Sequence, residues 1–192
     1  MMDMPYAHSP ASRSVRVAVP ETLPVSLAEA KAWLGAHLPD DDVLLAGLIR
    51  SSAEMCEAYI GRLLVARTVV EVAPIAMGAW TKLAREPVLE VTSVEGLPAE
   101  GAAFLFAADA YQIDVAGAAQ GWVRVLLPSV AGRMRVTYRA GLGDDANALP
   151  ESIRQGIVRL VAHLYAARDD GRDVSPPVAV LALWQPWRLV RL

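Results

Sequence analysis

Apolar positions along the chain change their period twice, and those changes divide it into segments. After an N-terminal stretch with no sustained period, Leu27, Ala30 and Leu34 recur at helical spacing, with Ser26 just before them and Glu29 three residues after Ser26. A serine hydroxyl that accepts from the third helical amide, together with a glutamate that reaches back, makes a capping box; a short helix is expected from Ser26 to about Gly35. Pro39 and the run Asp40-Asp41-Asp42 mark a loop and a second helix start, where carboxylates suit the positive end of the helix dipole. Within that helix, about 41–60, Leu44, Leu45, Leu48, Ser52, Met55, Cys56 and Tyr59 keep one face, and Arg50, Glu54 and Glu57 take the other. Gly61 is a natural C-cap.

From Leu63 to Tyr138 the chain turns to Val, Thr and aromatics, cut at short intervals by glycine and proline. Strands are expected at Leu64–Val72, Val88–Glu95, Phe104–Phe106, Tyr111–Asp114, Val123–Leu126 and Met134–Tyr138. No connection among them is long enough for a crossover helix, which implies antiparallel meander pairing. Helical spacing returns after Gly141-Leu142-Gly143-Asp144-Asp145. Pro150 opens a third helix, where its missing N–H costs nothing, and Ile153, Ile157, Leu160, Val161, Leu164 and Tyr165 give it an apolar stripe to about Arg168. Asp169–Pro177 reads as a loop and Val178–Trp184 as a brief helix. The expected fold class is α+β: a helical core of two N-terminal and two C-terminal helices (residues 25–62 and 148–184) with an antiparallel β-meander insertion (63–140). A flexible arm (1–24) and a C-terminal docking tail (185–192) flank it.

Composition narrows the function. A length of 192 residues suits one domain or a core with one insertion. Eighteen Lys+Arg against 21 Asp+Glu give a formal charge of −3, without the global basic character of duplex-binding modules. The cations are 16 arginines and 2 lysines. A single cysteine, Cys56, excludes an internal disulfide framework and a multi-cysteine zinc site. No apolar run approaches the ~18 residues of a membrane span, and Met1–Arg16 lacks the apolar stretch of a signal peptide, so a soluble, intracellular chain with no membrane contact is expected.

Nothing in the chain advertises catalysis. His8, His37 and His163 lack paired-ligand spacing, and His163 sits at the edge of an apolar stripe. Cys56 lies on the buried face of its helix, where a thiol behaves as a small hydrophobe. Gly141-x-Gly143 has neither the third glycine of a dinucleotide loop nor the lysine of a phosphate loop, and Asp144 and Asp145 would repel phosphate. The acidic groups Asp40–Asp42, Asp144-Asp145 and Asp169/Asp170/Asp173 lie beside helix ends and lack calcium-loop spacing, so capping and solvation account for them. Catalytic, cofactor and metal sites are therefore expected to be absent. The one segment with concentrated recognition chemistry is the C-terminus: Trp184, Pro186, Trp187, Arg188 and Arg191. Trp and Arg are the residues that most often anchor protein interfaces. Such a tail either folds back as core or docks on another protein, and both hold if only Trp184 packs inward.

The order of these signals resembles a known family. Pro24-Val25-Ser26-Leu27-Ala28-Glu29-Ala30-Lys31, the Asp-led helix ending Glu57-Ala58-Tyr59-Ile60-Gly61-Arg62, Arg85-x-Pro87-Val88, Tyr111-x-x-Asp114 and Val136-Thr137-Tyr138-Arg139-Ala140-Gly141 carry the resemblance. Pro150-x-x-Ile153, His163-Leu164-Tyr165 and Leu183-x-x-Pro186-Trp187-Arg188 extend it over about residues 24–192. The pattern is similar to the head–tail connector (adaptor, or head-completion) proteins of long-tailed phages and of gene transfer agents, which are phage-derived particles. The resemblance implies a structural virion protein located at the head–tail interface and present in host cytoplasm during assembly. It implies a homo-oligomeric ring, commonly of twelve, beneath the portal protein. Such a ring joins the head to the tail stopper and leaves an axial channel through which DNA passes without sequence-specific binding. Carried onto this chain, Trp184, Pro186, Trp187, Arg188 and Arg191 become the portal contacts; at Trp187 the family more often has Tyr, and an aromatic anchor is kept. Deleting 184–192 is then expected to leave a folded protein that no longer binds portal. The alternatives are a tail-completion or stopper protein, a nucleic-acid-binding packaging module using the arginines, and, with least support, an enzyme.

Overall fold

The computed structural model describes residues 13–35, 41–117, 119–167 and 175–189. Among them the chain divides into two compact units, one of residues 13–18 and 68–140, the other of residues 19–35, 41–67, 141–167 and 175–189. The first is all β and the second mainly helical, so the α+β class and the helix–β–helix order hold.

The helical unit contains α1 (Leu27–Leu34), α2 (Asp42–Ile60), α3 (Glu151–Ala167) and α4 (Val178–Trp184). The Ser26 hydroxyl accepts from the Glu29 amide at 3.1 Å, as the cap requires. The Glu29 carboxylate goes to Arg154 of α3 at 2.9 Å, joining the two helices by an ion pair. Along α2 the buried residues are Leu45, Ile49, Ser52, Cys56 and Ile60. They meet the stripe of α3, where Ile153, Gly156, Ile157, Val158, Leu160 and Val161 are buried. Each large aliphatic side chain removed from water in this way stabilises the fold by roughly 1.5–3 kcal/mol. Leu44, expected on the inner face, is instead exposed. It sits one position from the center of the stripe, where the apolar face meets solvent.

Glu57, placed by the sequence on the face of α2 opposite the apolar stripe, closes the junction after α2. It accepts two bonds from the Arg67 guanidinium, at 2.8 and 2.7 Å, and one from the Leu64 amide at 2.9 Å. Leu64 and Val65 thereby join the helical core, and Val65 bridges to Gly143. A Cβ at Gly141 would lie 2.4 Å from the Ala66 backbone, so this glycine serves close chain approach. The Gly-x-Gly segment is thus a packed turn, with Leu142 donating to the Leu64 carbonyl at 2.8 Å.

The β unit has eight strands among the described residues: β1 (Ser14–Val17), β2 (Arg67–Pro74), β3 (Trp80–Lys82), β4 (Val88–Pro98), β5 (Phe104–Leu105), β6 (Tyr111–Ala116), β7 (Gln120–Val125) and β8 (Ala131–Ala140). They form a five-stranded sheet in the order β1-β2-β8-β4-β5 and a three-stranded sheet in the order β3-β7-β6. The registered pairs β1–β2, β3–β7, β4–β5, β4–β8 and β6–β7 are all antiparallel. The strand order departs from a simple meander because β8 enters between β2 and β4.

Three boundaries also move. Residues 14–17, placed by the sequence in a flexible arm, form an edge strand on β2; residues 63–67, placed in the insertion, stay with the helical unit; and the helical core resumes at 141 rather than 148. The physical reason for the first is a charge. Glu71 falls on the inward side of β2 between Val69 and Ala73 and is almost fully buried. A buried carboxylate needs partners, and Arg13, just ahead of β1, supplies a guanidinium whose Nε donates to it at 2.5 Å. The Ala84 amide at 2.9 Å and the Tyr138 hydroxyl at 3.0 Å complete its shell. Tyr138 in turn accepts from the Arg85 amide at 3.1 Å.

Candidate partner interface

The C-terminal candidates hang from α3 and α4. Pro177 caps α4, its carbonyl accepting from the Val180 amide at 2.9 Å, and Pro186 tightens the following 3₁₀ turn, Gln185–Trp187. Trp184, the last residue of α4, is fully buried. Its indole N–H donates to the Ile153 carbonyl at 3.3 Å, and it lies so close to α3 that a Cβ at Gly156 would sit 2.1 Å from Nε1. Tyr59 of α2 packs beside it, ring centroids 6.2 Å apart. This corrects the assignment of Trp184 as a portal contact: a side chain with no exposed surface anchors the tail and cannot touch another protein in this fold.

The remaining residues lie progressively nearer the solvent. Trp187 is half-buried, and its N–H donates to the Ser152 hydroxyl at 2.9 Å. Pro186 and Arg188 are exposed. The Arg188 guanidinium stands 5.4 Å from the center of the Tyr59 ring, a cation–π arrangement that holds an otherwise free side chain in place. Tyr59 donates its hydroxyl proton to Gln185 at 2.5 Å, and the Leu189 amide donates to the Ile60 carbonyl at 2.8 Å. Arg191 lies outside the described residues. The tail surface is therefore Pro186, the edge of Trp187 and Arg188, laid over the end of α2. Tyr59, Gln185, Ser152 and Leu189 belong to this arrangement and were not singled out in the sequence. Tyr59 alone left a signal there, as the last member of the α2 stripe, adjoining its C-cap.

The other chemical candidates resolve into structure. Cys56 is buried, and burial pushes its thiol pKa well above the usual value, so it stays a neutral thiol. Asp145 caps the short turn Ala146–Ala148, accepting from Asn147 and Ala148, while Asp41 accepts from the Tyr165 hydroxyl at 2.6 Å and Asp42 from Lys31 at 2.6 Å. Asp40, Asp169, Asp170, Asp173, His8 and His37 lie outside the described residues. Among the described residues no group of three or more His, Cys, Asp and Glu could hold a metal ion, and no helix is long and apolar enough to cross a membrane.

This architecture, a helical unit interrupted by a β unit, is shared with chains solved in gene transfer agent particles. One solved structure with the fold, the neck of an empty gene transfer agent particle computed with C6 symmetry, superposes with a TM-score of 0.76 at 26% identity, covering 93% of this chain and 97% of the other. A chain from the virion of a native gene transfer agent particle gives 0.75 at 25% identity, covering 93% and 96%, and one from the neck of a native particle computed with C12 symmetry gives 0.73 at 28%, covering 94% and 97%. The resemblance to head–tail connectors read from the sequence agrees with these neighbours. No protein-family model and no curated protein matches the chain.

Proposed function

We propose that this chain is a structural neck protein of a phage-like particle, a ring-forming adaptor between the portal vertex and the tail stopper that leaves an axial channel for DNA. The observation that carries the reading is the likeness to gene transfer agent necks over nearly the full length of both chains, at 25–28% identity. Neck structures solved with C6 and C12 symmetry support an oligomeric ring, in which one subunit type meets its neighbour through a closing heterologous interface. The net charge of −3 suits a conduit, since dense phosphate contacts would retain DNA. The role is structural rather than catalytic, in keeping with those neighbours.

Within this reading Pro186, Trp187, Arg188 and Arg191 meet the portal, and Trp184 holds their base in the helical core. Removal of 184–192 is then the wrong test, because it also takes out a core tryptophan. Arg188→Glu reverses an exposed charge and leaves Trp184 in place. Purified wild-type chain should form rings on portal particles, seen by electron microscopy, and Arg188→Glu should bind portal about tenfold more weakly with an unchanged melting temperature. Undiminished portal binding by Arg188→Glu and by a chain ending at Trp187 overturns the tail assignment. Particles joined to tails in the absence of this protein overturn the adaptor role itself.

A further inference from the structure

We infer that the free edge of β6, with the slot beside it, is a docking site for an extended segment of a partner protein that carries an arginine between two aliphatic residues. Among the described residues β6 pairs on one side only, with β7. Its residues Gln112, Ile113, Asp114 and Val115 are all exposed. In register, Ile113 lies opposite buried Val123, and Val115 opposite buried Gly121. The apolar inner layer of this sheet therefore runs out to an uncovered margin, where Ile113 and Val115 remain 40% and 45% exposed. An edge of that kind is a template for strand addition unless something guards it.

The guard is Asp114, and its surroundings define what it admits. Lys82, Trp122 and Asp114 form one cross-strand row on the outer face, and Trp80, Arg124 and Gln112 form the next. Trp80, Asp114 and Trp122 line a slot. The neighbouring cations are already engaged: Lys82 pairs with Glu86 at 2.7 Å, and Arg124 stands over Trp80 at 4.7 Å and donates to Gln112. The Asp114 carboxylate has no hydrogen bond or ion pair among the described residues.

An uncharged strand added here would leave that carboxylate unpaired, and two β6 edges paired about their centers would bring one Asp114 near the other. A strand with arginine opposite Asp114 satisfies it with a planar, two-pronged donor, while the Trp122 ring beside it already carries Lys82 Nζ 6.0 Å from its center. Side chains flanking that arginine alternate to the other face, where aliphatic groups continue the layer of Ile113 and Val115. The inference concerns the β unit and stands apart from the tail assignment.

The test uses the full-length, nitrogen-15-labelled chain and a blocked pentapeptide, Thr-Val-Arg-Val-Thr, with a control in which glutamate replaces the arginine. The indole N–H signals of Trp80 and Trp122, assigned through Trp80→Phe and Trp122→Phe, should shift on titration with the arginine peptide, while those of Trp33 and Trp184 stay fixed. Asp114→Asn, an exposed change that preserves the fold, should weaken binding about tenfold. Equal binding of the glutamate peptide, indifference to Asp114→Asn, or no shift at millimolar peptide overturns the proposal. Sedimentation of the free chain provides the competing outcome: self-association strengthened by Asp114→Asn, without peptide binding, makes a second copy the occupant and likewise overturns it.

Discussion

The two units hold down the chain ends nearest them by opposite means. In the helical unit the C-terminal segment is fixed by packing: Trp184 fills a recess that exists because residue 156 is glycine, and one indole hydrogen bond completes the fit. In the β unit the N-terminal strand is fixed by charge: Arg13 reaches a carboxylate buried on β2. Packing of this kind gains from every contact it makes and leaves nothing unsatisfied. A buried charge is costly to place and gives specificity instead, because only a segment carrying a cation at the right position satisfies it. The β sheet thereby selects Arg13 and the strand that follows it, over a sequence separation of 58 residues.

The sharpest way to break this comparison is at Trp184. Trp184→Ala should cost about 3–5 kcal/mol, the range for an aromatic removed from a packed core, measured by urea denaturation. The loss should be insensitive to salt and to pH. A loss below about 1 kcal/mol would mean that the tail is not held by packing.

Glu71→Gln comes next. It keeps the shape and removes the charge that Arg13 meets, at a cost of about 2–3 kcal/mol, reduced from the fully buried range because the Arg13 side chain is 40% exposed. Tyr138 adds a pH signature to the same site. Burial first, and then the adjacent Glu71 charge, raise its phenol pKa above the ordinary 10.0. The unfolded chain therefore loses that proton at lower pH than the folded one, and stability should fall as pH rises beyond 10. Tyr138→Phe should flatten that alkaline slope in denaturation curves measured between pH 9 and 11, whereas an unaltered slope would assign the effect elsewhere.

The smallest effect is expected at the entry to the helical unit. Ser26→Ala removes one cap bond and should cost about 1 kcal/mol, while Ser26→Gly should cost only a few tenths. No loss in either variant would show that the Ser26 hydroxyl does not stabilise the helix through the Glu29 amide.

Much of the framework is legible in the sequence because it rests on local rules. The capping serine, the stripes of α2 and α3, the glycine after α2 and the proline before α3 each act within a few residues, and the helices lie within one or two positions of where those signals place them. Six strand cores were legible for the same reason, from their residue types and turns. The four-residue β1 and three-residue β3 were not: each is too short to show a period, and each owes its conformation to a partner strand remote in sequence.

The candidate interface divides along the same line. The sequence by itself determined that the C-terminus concentrates aromatic and guanidinium groups, since composition needs no fold to be read. Only the tertiary structure decided that Trp184 faces inward while Arg188 lies over Tyr59 at the surface, and that Glu71 calls Arg13 out of the arm. Those outcomes depend on which distant side chains share a space, on a recess opened by Gly156 and a charge buried on β2. Neither leaves a periodic trace along the chain.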